Sequence, residues 1–191
     1  MPVRILSSAL LGIGGVPVEV EVDVAPGIPA TRIVGLPDAA VGEARERIRS
    51  AIRAAGYTWP ARRITINLAP ADLRKSGGSF DLAIALGILA ASGQLRLGDR
   101  SVAAVGELAL DGRVRNVPGA LPLALPLAAR TGTSLVVPEA IVAELRGSAS
   151  GSVAGVASLA DAVAHLHGRR HEPASPSRSR PLQPTADSNE C

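Results

Sequence analysis

The segment ADLRKSGGSFDLAIALGILAAS, residues 71–92, decides how the rest of the chain can fold. Its second half, roughly 80–92, predicts a helix that is apolar on almost every face, so the helix belongs in the centre of a domain. Gly77 and Gly78 allow a tight turn into this helix. Ser79 is expected to act as the N-cap, with Asp81 favourably placed near the positive end of the helix.

The residues before this helix predict strands. Residues 16–25, VPVEVEVDVA, alternate between valines and mostly acidic residues, which is the period of a half-exposed strand. Together with residues 3–11 they predict a β-hairpin with its turn at the pair Gly14-Gly15. Residues 30–35 and 62–70 predict two more strands. This half of the chain therefore contains antiparallel pairing.

An amphipathic helix is predicted over about 39–55, between Asp38 as its N-cap and Gly56 at its end. Apolar residues recur at helical spacing and form one stripe, which is expected to face the core. The stripe consists of Val41, Ala44, Ile48, Ala51, Ile52 and Ala55.

The C-terminal half alternates short strands and helices. Residues 102–110 and 113–117 flank Asp111-Gly112 and predict a second hairpin. The other expected elements are helices over 119–131, 139–145 and 158–167 and strands over 134–138 and 153–156. Because strands occur both in hairpins and between helices, the pattern predicts an α+β domain with a mixed sheet and packed helices.

Composition places one domain in residues 1–167. The chain has 191 residues, 47% of them hydrophobic, which is enough for one core. Residues 168–191 are rich in Pro, Ser and Arg and are predicted to be a disordered linker or tail. Cys191 is the only cysteine, so neither a disulfide within the chain nor a cysteine-based metal cluster is expected. Signal-peptide features and membrane-length apolar runs are lacking, so a cytoplasmic location with no membrane partner is expected.

The Gly-Gly-Ser loop does not have the pattern of a nucleotide site. A P-loop requires its lysine after the glycines, whereas Lys75, the only lysine, precedes them. Ser79 with Lys75 as its base would form a Ser-Lys nucleophile pair, which remains an alternative to the capping role. His165 and His167 have no obvious third ligand nearby, so no metal site is proposed.

The arginines of the first helix are candidates for nucleic-acid contacts. Arg45, Arg49 and Arg53 recur every four residues on one face and would suit phosphates. The alternative is a solvated face, partly neutralised by pairs of Glu43 with Arg47 and of Glu46 with Arg49. The sequence shows no aromatic interleaving for base stacking. Further basic residues would extend the surface if the fold brings them together, namely Arg62, Arg63, Arg74 and Lys75.

Three blocks carry a family resemblance: GLPDAAV (35–41), NLAPADLRK (67–75) and GELALDGR (106–113). Through them, residues of about 4–167 resemble the N-terminal segment of the magnesium-chelatase-like ComM/YifB family. The resemblance implies a fold similar to the Lon protease catalytic domain, within the ribosomal S5 domain 2-like group. It also implies that this chain is a non-catalytic accessory domain, which organises a ring or contacts DNA.

The resemblance further implies partners and cofactors. Members of the family are AAA+ ATPases, and ComM is a hexameric helicase that promotes DNA branch migration during natural transformation. An AAA+ module in cis or in trans and homo-oligomers are therefore expected, and ATP and Mg would belong to that module. Family members carry Walker A and Walker B motifs and an arginine finger, which these 191 residues lack. A stand-alone DNA-binding module remains an alternative.

The similarity to Lon also bears on Ser79. RKSGGSFD (74–81) resembles the loop that carries the Lon nucleophile, with Ser79 at the serine position. The Lon lysine position falls in VPGALPLAL (117–125), where Leu121 stands. The resemblance thus implies a broken dyad and disfavours a Ser-Lys peptidase.

Overall fold

The structure is a computed structural model that describes residues 2–168. The predicted tail and its four arginines lie outside the described residues, apart from Gly168. The strands are β1 (Val3–Leu11), β2 (Gly14–Ala25), β3 (Ala30–Val34), β4 (Arg63–Ala69), β5 (Ser101–Ala104), β6 (Glu107–Leu108), β7 (Val114–Arg115), β8 (Thr133–Pro138) and β9 (Ser152–Val156). The α-helices are α1 (Ala39–Ala54), α2 (Asp81–Ala91), α3 (Ala120–Ala128), α4 (Val142–Leu145) and α5 (Leu159–Leu166).

The main sheet has seven strands in the order β3-β4-β2-β1-β5-β8-β9. Strand β2 pairs antiparallel with both β1 and β4, whereas β3-β4, β1-β5, β5-β8 and β8-β9 are parallel pairs. The prediction of a mixed sheet with packed helices is confirmed. Strand β3 is one edge of this sheet.

Helices cover both faces of the sheet. Neighbouring residues of β5 point into different apolar clusters: Val102 joins the cluster with α1, α2 and α5, and Ala103 joins the cluster with α3 and α4. Strand β8 alternates in the same way, with Val136 in the first cluster and Val137 in the second. The predicted stripe of α1 is buried, with Ala55 at its border only partly covered. Asp38 Oδ1 accepts a hydrogen bond of 2.9 Å from Val41 N, as the capping prediction requires.

The first hairpin turns earlier than the sequence indicated. Leu11 pairs with Gly14, so the two-residue turn is Gly12–Ile13, and Gly12 has φ +61. The prediction of a turn at Gly14-Gly15 was wrong, because both residues belong to β2. A Cβ atom on Gly15 would lie 2.4 Å from Pro122 O, so Gly15 allows α3 to approach the strand closely.

The stretch 102–110 is not one strand. It divides at Gly106, whose φ of +156 interrupts the strand. Strand β5 joins the main sheet, whereas β6 pairs only with β7. The Gly106 backbone instead fixes the start of α2, since its N–H donates to Ser79 O and its carbonyl accepts from Leu82 N. The hairpin around Asp111-Gly112 is present, but with shorter strands than predicted.

Helix α2 lies at the centre of the domain, as its apolar sequence indicated. All residues from Asp81 to Leu89 are buried. A 3-10 turn, Gly78–Phe80, precedes the helix. Within residues 2–168, no helix combines the length and the apolar character required to cross a lipid bilayer.

Candidate nucleic-acid interface

Three arginines of α1 line one cavity at the edge of the sheet. Arg45, Arg49 and Arg53 lie outside the buried stripe of the helix, and the cavity that they line has a volume of 360 Å³. The other walls come from the start of β3, with the residue before it, and from the loop before β4. The lining residues are Pro29, Ala30, Thr31, Arg45, Arg49, Arg53, Trp59, Pro60, Ala61 and Arg62.

The cavity is strongly basic. Four of its ten lining residues are arginines, and none is acidic. Arg45 is held by Glu46 through an ion pair of 3.1 Å, with both side chains largely exposed. The Nε atom of Arg49 is buried and has no hydrogen-bond partner in the described part of the chain. A buried donor without a partner carries a desolvation cost.

Trp59 brings an aromatic side chain into the same cavity. It is half-buried, and it packs against the main core as well as lining the cavity. Its loop is held in place by Gln94, whose side chain accepts from Thr58 N at 2.8 Å and donates to Thr58 O at 2.8 Å. Tyr57 N, on the other side of Thr58, donates to Ile52 O in α1. Trp59 thus lies on a loop with fixed backbone contacts.

The sequence reading missed Trp59 as a site residue. Trp59 is separated from Arg53 by a turn and is the only tryptophan of the chain, so no aromatic repeat accompanies the arginines. A usable signal was present in TWPARR, residues 58–63, where the aromatic residue stands three positions before a pair of arginines at the start of a strand. Arg62 lines the cavity, whereas the exposed Arg63 lies outside the lining set.

The remaining basic candidates do not extend this surface. Arg74 is exposed but does not line the cavity. Lys75 is fully buried, and its Nζ donates to Pro70 O. The proposal of Lys75 as a nucleic-acid contact is therefore corrected, because its ammonium group faces the protein interior. Burial lowers the pKa of Lys75, while Asp72 acts in the opposite direction.

Ser79 does not act as the predicted helix cap. It lies inside the 3-10 turn, whose N-cap position is Gly77, and no side-chain hydrogen bond caps that turn or α2. The turn instead continues directly into α2. Asp81 N donates to Gly78 O within the turn, and Leu82 N donates to Gly106 O. The capping prediction was therefore wrong.

The Ser-Lys pair is not assembled as a nucleophile and its base. The hydrogen bond of Lys75 Nζ goes to Pro70 O, and none joins it to Ser79 in the described residues. Ser79 lines a separate cavity of 310 Å³, whose other lining residues include the apolar Leu10 and Leu123 and the carboxylate side chain of Glu107. Leu121, at the position of the Lon lysine, packs partly buried against the cluster of α3 and α4. Neither Lys75 nor Leu121 thus provides the base that a Ser-Lys nucleophile pair requires.

A buried ion pair joins α1 to α2. Arg47 Nε lies 3.0 Å from Asp81 Oδ2 and Arg47 Nη2 lies 3.2 Å from Asp81 Oδ1, so the contact is bidentate. Asp81 also accepts from Leu108 N at 3.3 Å. The sequence had paired Arg47 with Glu43, a local partner, and Arg49 with Glu46. Burial raises the pKa of Asp81 to about 6, against the opposing effect of Arg47.

The loop before α2 does not have the arrangement of a P-loop. The loop before α2 places its lysine ahead of the glycines, and that lysine is buried on Pro70 O rather than free for a phosphate. Residues 2–168 also hold no group of three or more His, Cys, Asp or Glu side chains arranged for a metal ion. No step of ATP chemistry is assigned to these residues.

Comparisons with known proteins agree with one family. Residues 20–141 match the family model described as subunit ChlI of Mg-chelatase. The chain is 50% identical over 132 residues to the protein YifB of Escherichia coli (strain K12), covering 68% of this chain and 26% of that protein. It is 40% identical over 170 residues to the competence protein ComM of Haemophilus influenzae, covering 88% of this chain and 33% of ComM.

A third relative is the protein Rv2897c of Mycobacterium tuberculosis, which is 42% identical over 137 residues, covering 71% of this chain and 27% of that protein. The chain thus spans about a quarter to a third of the length of these curated relatives.

Proposed function

The chain belongs to the magnesium-chelatase-like ComM/YifB family, and from this premise we propose that it is a non-catalytic accessory domain that contacts DNA through the arginine-lined cavity. The observation that carries the proposal is the convergence of Arg45, Arg49, Arg53 and Arg62 on one cavity without an acidic lining residue. Phosphates supply the negative charge that neutralises such a cluster of arginines, and phosphate contacts dominate the affinity of proteins for nucleic acids.

The proposal extends to the partners implied by the family resemblance. The domain works with an AAA+ module, in cis or in trans, that binds ATP and Mg and drives branch migration of DNA during natural transformation. The assembly is a homo-oligomeric ring, a hexamer by the resemblance to ComM, in the cytoplasm. By the same resemblance, we propose that the mixed sheet is of the ribosomal S5 domain 2-like fold, the group that includes the Lon proteolytic domain. In this arrangement the basic cavity holds the strand that the motor moves.

Other readings of the chain have less support. A Ser-Lys peptidase needs Lys75 free to accept the Ser79 proton, and Lys75 is bound to Pro70 O. A stand-alone DNA-binding module would use the same arginines. It differs from the accessory role in needing no AAA+ partner, and binding by the isolated chain alone does not separate the two.

The test compares two double substitutions of equal charge change. Arg49→Gln with Arg53→Gln removes two cations from the cavity, and Arg130→Gln with Arg146→Gln removes two exposed cations outside its lining. Anisotropy of a labelled oligodeoxynucleotide gives the dissociation constant of each protein at low salt. We expect the first pair to weaken binding by about tenfold or more and the second by less than about threefold. Equal losses would show that only net charge matters and would refute the proposed interface.

A further inference from the structure

We infer that the arginine-lined cavity binds an unpaired nucleotide of a DNA single strand, with its base stacked on Trp59 and the neighbouring phosphates on Arg49 and Arg53. The inference rests on the proposed function, because it assigns a ligand class to the same cavity. It goes beyond that function by choosing single strands over duplex.

Trp59 is the reason for this choice. An aromatic side chain in a phosphate site contributes little to a duplex, where each base face is covered by the next base pair. A single strand exposes base faces, and stacking on aromatic side chains is sequence-tolerant because every base has a π-face. Trp59 lines the cavity beside four arginines, which is the combination of aromatic platform and cationic groove found in single-strand binders.

The platform is held in place before any ligand arrives. Trp59 packs against the main core, and the backbone on its N-terminal side is bound twice by Gln94. Pro60 follows it, and its ring restricts the backbone of the loop. A fixed aromatic side chain loses little conformational entropy on binding, so most of the stacking energy is available for affinity.

Two arginines line the cavity together with Trp59, where they can contact the phosphates next to a stacked base. Arg49 and Arg53 are one helical turn apart on α1, and both line the cavity together with Trp59. Arg49 contributes the buried Nε without a partner, and Arg53 is exposed in the last turn of the helix. The cavity volume of 360 Å³ lies near the lower end of the roughly 300–1,000 Å³ of small-molecule sites, which suits one nucleotide unit better than a duplex segment.

The experiment uses the single tryptophan of the chain as the probe. Oligodeoxythymidine of about 20 nucleotides exceeds the 4–16 nucleotides that single-strand modules cover. Titrating it into the full chain should quench Trp59 fluorescence, while a duplex of the same length should not. Trp59→Leu should weaken single-strand binding by about 5- to 150-fold, the equivalent of about 1–3 kcal/mol per stacked base. Duplex affinity should fall by a much smaller factor, and Trp59→Phe should restore part of the single-strand affinity.

The outcomes separate this inference from the proposed function. Stacking is refuted if Trp59→Leu weakens the binding of single strands and of duplex by the same factor, or weakens neither. The DNA interface still stands in that case if the Arg49/Arg53 substitutions reduce binding. If the full chain binds neither DNA form at low salt, both are refuted. Circular dichroism establishes that each variant is folded, and the quenching measured on the unsubstituted chain provides a readout that needs no variant.

Discussion

At the scale of single residues, the ion pair of Arg47 and Asp81 makes the stability of the domain depend on pH. Asp81 lies in an otherwise apolar helix, with only 1% of its side chain exposed. The carboxylate receives two bonds from the guanidinium and one from Leu108 N, so it ties α2 to both α1 and β6. A buried charge of this kind is tolerable only while its partners remain.

Arg47→Met should therefore lower the free energy of unfolding by about 3 kcal/mol, because it leaves the Asp81 carboxylate buried without its cation. The loss should be larger at pH 8 than at pH 5. Burial already raises the pKa of Asp81 from 3.8 to about 6 in the folded chain, so the folded state holds this proton more tightly than the unfolded state. The stabilisation from this group is complete below pH of about 4 and is lost as pH rises through about 6.

Without Arg47 the pKa of Asp81 rises further, and the loss continues to higher pH. Urea unfolding at both pH values measures the effect, and the double substitution Arg47→Met with Asp81→Asn is the control, since it has no buried carboxylate. A penalty for Arg47→Met that is the same at pH 5 and pH 8 would contradict this account.

At the scale of elements, the sequence predicts what depends on local pattern. The alternation in β2, the Asp38 cap and the buried stripe of α1 each follow from spacing along one segment, and all three are present. The failures involve a partner distant in sequence. Gly15 is a strand residue against which α3 packs closely. The stretch 102–110 divides because the backbone of Gly106 bonds to Ser79 O and to Leu82 N at the start of α2.

Helix α2 offers a test in which helix propensity and packing disagree. Ala is favoured over Gly by about 1 kcal/mol in a helix interior, so Gly87→Ala would stabilise an isolated helix. In the domain, the added Cβ would lie 2.6 Å from Val22 Cγ2. We expect Gly87→Ala to lower the free energy of unfolding by about 1–3 kcal/mol. In the Val22→Ala background the same change should cost less, and stabilisation of the wild-type chain by Gly87→Ala would show that the contact is loose.

The loop that carries Trp59 is held on its N-terminal side by the side chain of Gln94. Gln94→Ala removes both bonds to Thr58, but these groups are exposed and water can replace them, so the loss of stability should stay near 1 kcal/mol. The loop should nonetheless become more mobile, which acrylamide quenching of Trp59 measures directly. Gln94→Glu keeps the acceptor for Thr58 N and loses the donor to Thr58 O. Its quenching should therefore fall between that of the unsubstituted chain and that of Gln94→Ala. Unchanged quenching in Gln94→Ala would show that Trp59 is held by core packing alone.

At the scale of the whole molecule, the candidate site is a product of topology. The arginines of α1 could be recognised as a row from their spacing, but the pairing of β3 with β4, which places Ala30 opposite Arg63, is what adds the start of β3 to the cavity. Lys75 illustrates the opposite case, since it is close in sequence to Arg74 but is buried by the fold. Sequence spacing alone does not determine which cations share a surface, because the fold also decides which of them are buried.

The proposed interface makes a quantitative prediction for the full chain. Each phosphate neutralised on a single strand contributes about −0.7 to the slope of log K against log [salt]. If all four cavity arginines contact phosphates, they contribute about −2.8, which is about a 50-fold loss of affinity from their contacts between 50 and 200 mM salt. The Arg49→Gln, Arg53→Gln chain should have a slope shallower by about 1.4 than the unsubstituted chain. Taking this difference cancels the contribution of every cation outside the cavity, including those beyond Gly168. Anisotropy titrations at several salt concentrations give both slopes, and a difference near zero would mean that the two arginines do not meet phosphates when DNA binds.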